Sequence, residues 1–319
     1  MIAVLAGGVG AARFLRGAVR LDVPVTAIVN TADDTVLHGL YISPDLDTVT
    51  YTVAGAIDPE RGWGLANESW NAMEALGRFE KVTPTNSTAA PRWFNLGDRD
   101  LATHFYRTAR LREGASLSTV TREIATAWNV PCTIMPMSDG EVRTLVTLAE
   151  DCVAGDAGTE ISFQEYFVKF RHDVRVASVR FAGGETAVPT FLPILEQARR
   201  IVIAPSNPIV SIGPLRALAG VDAALATRRA DVVAISPIVG GKALKGPADR
   251  LMVELGMEPS VVGVAEMYRE ICGTLVIDEQ DAHHVDAIEQ LGVNCVVTDT
   301  IMSSPEVTER LALICGVRP

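Results

Sequence analysis

The first thirty residues alternate apolar run, glycine turn, helical segment and apolar run, and this rhythm restricts the fold more than any other feature. IAVLA (2–6) is wholly apolar, GGVG (7–10) is a turn, AARFLRGAVR (11–20) has helical composition, and VTAIVN (25–30) is a second apolar run. Strands that are apolar at nearly every position, rather than at alternate ones, are expected in a parallel sheet buried on both faces. The C-terminal third repeats the pattern. RIVIAPSN (200–207), DVVAISP (231–237), TLVIDE (274–279) and NCVVTDT (294–300) read as strands, and helical stretches such as PADRLMVELG (247–256) and AHHVDAIEQLG (282–292) follow most of them. Strands alternating with helices predict an α/β fold with a doubly wound, mostly parallel sheet.

The middle of the chain breaks this rhythm. It holds more Trp, Thr and polar residues, and only VRVASVRF (174–181) alternates as an edge or antiparallel strand would. The expected organisation is therefore a Rossmann-like nucleotide-binding core from 1–60 and 196–319, with 61–195 as a largely helical insertion over the carboxyl edge of the sheet. KVTPTNSTAAPRW (81–93) is the loosest stretch and is expected to be a mobile loop.

Composition narrows the function classes. A chain of 319 residues with 48% hydrophobic residues can bury a large core. A net charge of −11 argues against a nucleic-acid partner, so an anionic ligand would have to be neutralised locally. The opening apolar run has no basic segment before it, and no run approaches the ~20 residues of a membrane span. Five scattered cysteines with no C-x-x-C pair read as reduced thiols, so a cytoplasmic protein is expected.

AGGVGAAR (6–13) lies where a strand feeds a helix, a place where glycines let the backbone approach an anion. The frame is not that of a standard NAD site. Arg13 stands where a third small residue is wanted, and the second strand ends in Asn30 rather than an acid. A phosphate or diphosphate cradle at Gly7, Gly8 and Gly10 is the reading to test, against a tight turn with no ligand. SPIVGGKALKGP (236–247), which holds Gly240, fails as a P-loop because Ser236 and Ala243 occupy the required Gly and Ser/Thr positions. Lys242 and Lys245 there lie near phosphate or are simply solvated. APSNPIVSIGP (204–214) offers Ser206, Asn207 and Ser211 to a base or phosphate, or caps the following helix rigidly.

The acids cluster in NTADD (30–34), SPDLDT (43–48) and LGDRD (96–100). Mg²⁺ needs oxygen ligands and keeps several waters, so one or two carboxylates with phosphate oxygens suffice. Asp45 and Asp47 can share one ion only if their segment turns, which Ser43-Pro44 favours; otherwise one acid binds metal and the other orients a hydroxyl. A solvated loop or a helix cap is the alternative. Trp63, Trp70, Trp93 and Trp128 are core residues or stacking surfaces, His104 is a polar or core histidine, and His283-His284 has no metal spacing.

In this order along the chain, AGGVGAARFLRG, NTADD, YISPDLDTVTY, LGDRDLATH, GASLSTVT, MPMSD, APSNPIVSIGP, SPIVGGKALKGPADRLM and GVAEMY resemble the 2-phospho-L-lactate transferase family of coenzyme F₄₂₀ biosynthesis, whose actinobacterial members are described as phosphoenolpyruvate transferases. The resemblance spans essentially the whole chain. It implies transfer of a phosphoenolpyruvyl or 2-phospholactyl group from a guanosine diphospho-donor to the ribityl hydroxyl of the deazaflavin Fo. The products would be GMP and F₄₂₀-0 or its dehydro form. It further implies Mg²⁺ and a homodimer. On this resemblance Asp45 and Asp47 are expected to be catalytic and to hold the metal. Gly7, Gly8, Gly10, Ser206, Asn207, Ser211, Gly213 and Gly240 are expected to bind phosphate and guanosine, and Asp45, Asp98 and Arg99 to face the deazaflavin. Two other functions compete: an NAD-dependent oxidoreductase, and a non-catalytic nucleotide- or nucleotide-sugar-binding regulator with the same glycine loop.

Overall fold

The computed structural model describes residues 1–84, 87 and 89–318. Seven strands form one parallel sheet: β1 (Ile2–Ala6), β2 (Val25–Val29), β3 (Thr133–Pro136), β4 (Arg200–Ile203), β5 (Val232–Ile235), β6 (Thr274–Ile277) and β7 (Asn294–Val297). Their spatial order is 7-6-5-4-1-2-3. The order reverses between β1 and β4, and in such sheets ligands bind outside the carboxyl ends of the strands at that reversal.

The wholly apolar strands are buried on both sides, as their sequences require. Ala3, Leu5, Ile28, Ile201 and Ile203 face one core, while Ile2, Val4, Ala27, Val29 and Val202 face the other. On the second side the sheet is covered by α1 (Gly8–Ala18), which packs against α2 (Pro44–Val53) and the C-terminal helix Pro305–Ile314.

The segment 61–195 carries α3 (Asn71–Leu76), α4 (Asp100–Arg112) and α5 (Leu117–Ala127) in its first half. Its second half returns to the sheet: β3 pairs with β2, so the central sheet and the insertion share this stretch of chain. A three-stranded antiparallel sheet follows, in which Arg143–Leu148 lies between Glu160–Ser162 and Val176–Ala182. The last of these is the alternating segment expected as an antiparallel strand. Of the loop expected at 81–93, Thr85, Asn86 and Thr88 lie outside the described residues. No helix among the described residues is long and apolar enough to cross a membrane.

Candidate active site

The end of β1 and the start of α1 lie at the strand-order reversal. Gly7 caps α1 in an extended conformation, and Gly8 follows with φ of +70°, a backbone that side chains rarely tolerate. A Cβ on Gly7 would stand 2.7 Å from Ser211 Cβ and 3.1 Å from Asp45 Oδ2, so Gly7, Ser211 and Asp45 meet at one point. Gly10 has another role. A Cβ there would run into the Pro205 carbonyl oxygen, so this glycine lets α1 pack on the loop after β4.

That loop is fastened to the glycine turn by Ser206. Its buried hydroxyl donates to the Gly7 carbonyl oxygen at 2.8 Å and accepts from the Gly7 N–H at 3.3 Å. Asn207 accepts from the N–H groups of Ile209 and Val210 through Oδ1, which shapes the loop. Ser206 therefore acts on the loop itself, whereas Ser211 lies against Gly7. Gly213 packs on the Phe181 ring, where a Cβ would come within 2.9 Å. The Gly240 N–H is taken by the Asp281 carboxylate at 3.0 Å.

The segment read as a turning acid loop is the first turn of α2, with Pro44 at its start and Asp45 and Asp47 beside the unpaired helix N–H groups. Two positions along a helix rotate a side chain by about 200°. The two acids thus point apart, and the expectation that they share one ion gives way to a division of labour. Asp45, half-buried, faces the glycine loop. Asp47 turns inward to Arg107 of α4 and lies 3.8 Å from His104 Nδ1. Arg107 is itself almost fully buried. His104 Nε2 lies 3.3 Å from Asp100, which accepts from the Tyr51 hydroxyl at 2.6 Å. Asp47, Asp100 and His104 stand close enough together to hold an ion. The Arg107 guanidinium pairs with Asp47 within this group, which ties α2 to α4.

The partner of Asp45 at the site is Asp33. The Asn30 side-chain amide donates to Asp45 Oδ2 at 3.1 Å and to Asp33 Oδ2 at 2.9 Å, while its oxygen accepts from the Ala32 N–H at 2.9 Å. Asn30, which sits where a dinucleotide site would have an acid, here bridges two acids. Burial raises the Asp45 pKa to about 6, against the opposing effect of Asn30 and the Gly8 N–H. Burial also raises that of Asp33, with the nearby Asp45 charge adding to it. The Thr144 side chain opposes part of that rise at Asp33. Two carboxylates joined by one amide offer the oxygen ligands that a hard divalent cation takes. Sequence spacing favoured Asp47 over Asp33; the signal for Asp33 was only its place after the second strand, three residues from Asn30.

Asp98 accepts from Ser69 Oγ at 2.7 Å and from the N–H groups of Asn71 and Ala72, which anchors the start of α3 and, with Ser69 the largest cause, lowers its pKa to about 2. Arg99 donates to the Ala66 carbonyl and, with Tyr106 and Trp128, lines a cavity of about 540 Å³ between α4 and α5. The Arg61 guanidinium lies 5.4 and 5.3 Å from the Trp63 and Trp70 ring centroids, these two rings meet edge to face, and Trp128 packs edge-on against Tyr51.

Comparison with known proteins places this chain in a family. Residues 2–303 match the family described as 2-phospho-L-lactate transferase CofD. A phosphoenolpyruvate transferase of Nocardia farcinica is 39% identical over 97% of this chain and 92% of its own length. A phosphoenolpyruvate transferase of Mycolicibacterium smegmatis is also 39% identical, over 96% and 95%. Among solved structures, a upf0052 family protein from Bacillus halodurans superposes with a TM-score of 0.61 over 98% of this chain and 97% of that one, at 15% identity, a likeness of fold. The chain belongs to the 2-phospho-L-lactate transferase CofD family.

Proposed function

We propose that this protein transfers a phosphoenolpyruvyl or 2-phospholactyl group from a guanosine diphospho-donor to the ribityl hydroxyl of the deazaflavin Fo, with release of GMP. The observation that carries the reading is the meeting of Asp45 with Gly7 and Ser211 at the reversal of strand order, in a member of a transferase family. The names of the relatives, phosphoenolpyruvate transferases over nearly the whole chain, support an enolpyruvyl donor.

In this reading the hydroxyl oxygen of Fo bonds to the phosphorus that carries the three-carbon acid, and the bond from that phosphorus to the GMP oxygen breaks. Such transfer depends on positioning and charge neutralisation more than on covalent catalysis. Gly7 and Gly8 leave room for diphosphate beside the start of α1, and Ser211 offers its hydroxyl from the facing loop. Asp45 accepts the hydroxyl proton. Asp33 and Asp45 would hold Mg²⁺. Bound there, the ion would offset charge on the diphosphate oxygens. Asn30 holds both carboxylates in register. The cavity lined by Arg99, Tyr106 and Trp128 falls in the size range of small-molecule sites and keeps Arg99 on the acceptor side of the proposal. Homodimerisation and a cytoplasmic location are part of the same proposal.

The test is a mass-spectrometric turnover assay with Fo, Mg²⁺ and each guanosine diphospho-donor in turn, with and without EDTA. A deazaflavin product that disappears with EDTA is expected. No product with either donor, alongside a thermal shift on adding guanine nucleotides, would favour a non-catalytic nucleotide binder instead.

A further inference from the structure

The acid that shares Asn30 with Asp45 is held from outside the central sheet. Gln164 is 5% exposed, and its side-chain amide donates to the Asp33 carbonyl oxygen at 2.9 Å across 131 positions of sequence. Gln164 follows the strand Glu160–Ser162 and precedes a short π-helix, Glu165–Lys169. Phe163 and Tyr166, on either side of it, are anchored in the core, which fixes the backbone from which the amide reaches. Thr144, on the middle strand Arg143–Leu148, reaches the same segment. Its N–H donates to the Ala32 carbonyl oxygen at 2.8 Å, and its buried side chain lies beside the Asp33 carboxylate.

Two adjacent peptide carbonyls, those of Ala32 and Asp33, are thus both taken by the antiparallel subdomain, while Asn30 Oδ1 takes the Ala32 N–H. Glutamine is seldom buried, and a buried amide has to be hydrogen-bonded. Here its partner is the residue whose carboxylate meets Asp45 through Asn30. Asp45 is carried by α2, whereas Asp33 is carried by the turn after β2. The separation of the two carboxylates is therefore set by Asn30 between them and by Gln164 and Thr144 behind the turn. Partners behind a metal-binding carboxylate orient it, and their loss weakens metal binding.

We propose that Gln164 and Thr144 are positioning residues that hold Asp33 where it and Asp45 can take one divalent cation. The proposal rests on the reading of Asp33 and Asp45 as the cation pair. It gives the antiparallel subdomain a part in the site, because the small sheet sets the geometry of an acid in the loop after β2.

Titration of the full chain with Mn²⁺, followed by electron paramagnetic resonance of the free ion, tests it without reference to turnover. Wild-type protein is expected to bind Mn²⁺ in competition with Mg²⁺, and Asp33→Asn to lose that binding. Thr144→Val removes the hydroxyl but keeps the N–H to Ala32, and Gln164→Met removes the amide at similar length. Each should weaken Mn²⁺ about tenfold to a hundredfold, while Thr144→Ser should bind as wild type does. Melting curves on the same samples separate folding from positioning. Wild-type Mn²⁺ affinity in Thr144→Val and Gln164→Met, whatever their melting temperatures, would overturn the proposal and leave both residues as ties within the fold. Equal losses in Thr144→Ser and Thr144→Val would overturn it for the Thr144 hydroxyl. If Gln164→Met does not fold, the two Thr144 variants decide. A wild-type protein that binds no Mn²⁺, or an Asp33→Asn variant that binds it as tightly as wild type, fails the cation reading and the proposal with it. Binding that is lost in Asp33→Asn but unchanged in the Gln164 and Thr144 variants fails the proposal alone.

Discussion

Asp47 and Arg107, 60 positions apart, form a buried ion pair that fastens α2 to α4. Through it the helix that presents Asp45 to the glycine turn is tied to the inserted helices. Removing one partner leaves a buried charge unpaired, which typically costs about 3–5 kcal/mol. Arg107→Met is therefore expected to lose about 3 kcal/mol in urea denaturation. The double variant Asp47→Leu/Arg107→Met should recover part of that loss, since it leaves no orphaned charge. Additive destabilisation in the double variant would show that the two residues do not act as a pair.

Asp45 is expected to weaken the fold at neutral pH. Its folded pKa, about 6, lies above the ordinary carboxylate value of 3.8, so the folded state holds its proton more tightly than the unfolded chain does. Stability falls as pH rises from about 4 to about 6 and is constant above. Asp45→Asn should then be more stable than wild type at pH 7, by up to about 3 kcal/mol, with the gain shrinking towards pH 4. Melting curves at several pH values check this, and a variant less stable than wild type at pH 7 would contradict it.

The glycines of the turn should separate by function. Gly10→Ala places a methyl group against the Pro205 backbone and is expected to lower the melting temperature sharply. Gly7→Ala meets Ser211 at Cβ and Cα and the Asp45 carboxylate, so the loop after β4 must give, but by less than the 2.1 Å approach to Pro205 demands at Gly10. It should lower transfer activity more than stability. Equal losses of stability in the two variants would argue against separate roles.

Much of the fold was legible because it depends on runs of apolar residues. All six strands predicted in the two core segments are present, and for all but the edge strand β7 burial on both faces explains why their composition is continuous rather than alternating. β3 was harder to read. TIMP is short, carries a proline at its end, and lies within a segment otherwise unlike the core. At the site, Asp45 and the glycine turn were visible as motifs. The pairing of Asp47 with Arg107 and the bridge from Asp33 to Asp45 were not, because they depend on α2 being a helix and on where Arg107 and Asn30 lie in space. Spacing along the chain records neither. Gly240, Ser206 and Asp98 stood in suggestive motifs, yet their polar groups are engaged in holding loops and a helix start.

The pH dependence of transfer should carry the same signature as the Asp45 carboxylate. As the proton acceptor it must be ionised, so kcat/KM is expected to rise with pH as the carboxylate ionises, below the value of about 6 that holds without a cation, because Mg²⁺ beside it favours the charged form. Stopped assays between pH 4 and 8, at fixed Mg²⁺ and ionic strength, give the profile. A rate independent of pH across this range would remove Asp45 from the proton-accepting role.

The most direct test of the account is the transfer rate of Asp45→Asn, measured with saturating Fo and donor on protein whose circular dichroism matches wild type. The account predicts that kcat falls by roughly a hundredfold or more, because the residue that faces Gly7, Gly8 and Ser211 can no longer accept a proton or support a cation. A near-wild-type rate would show that the chemistry takes place elsewhere than at the Asp33–Asp45 pair.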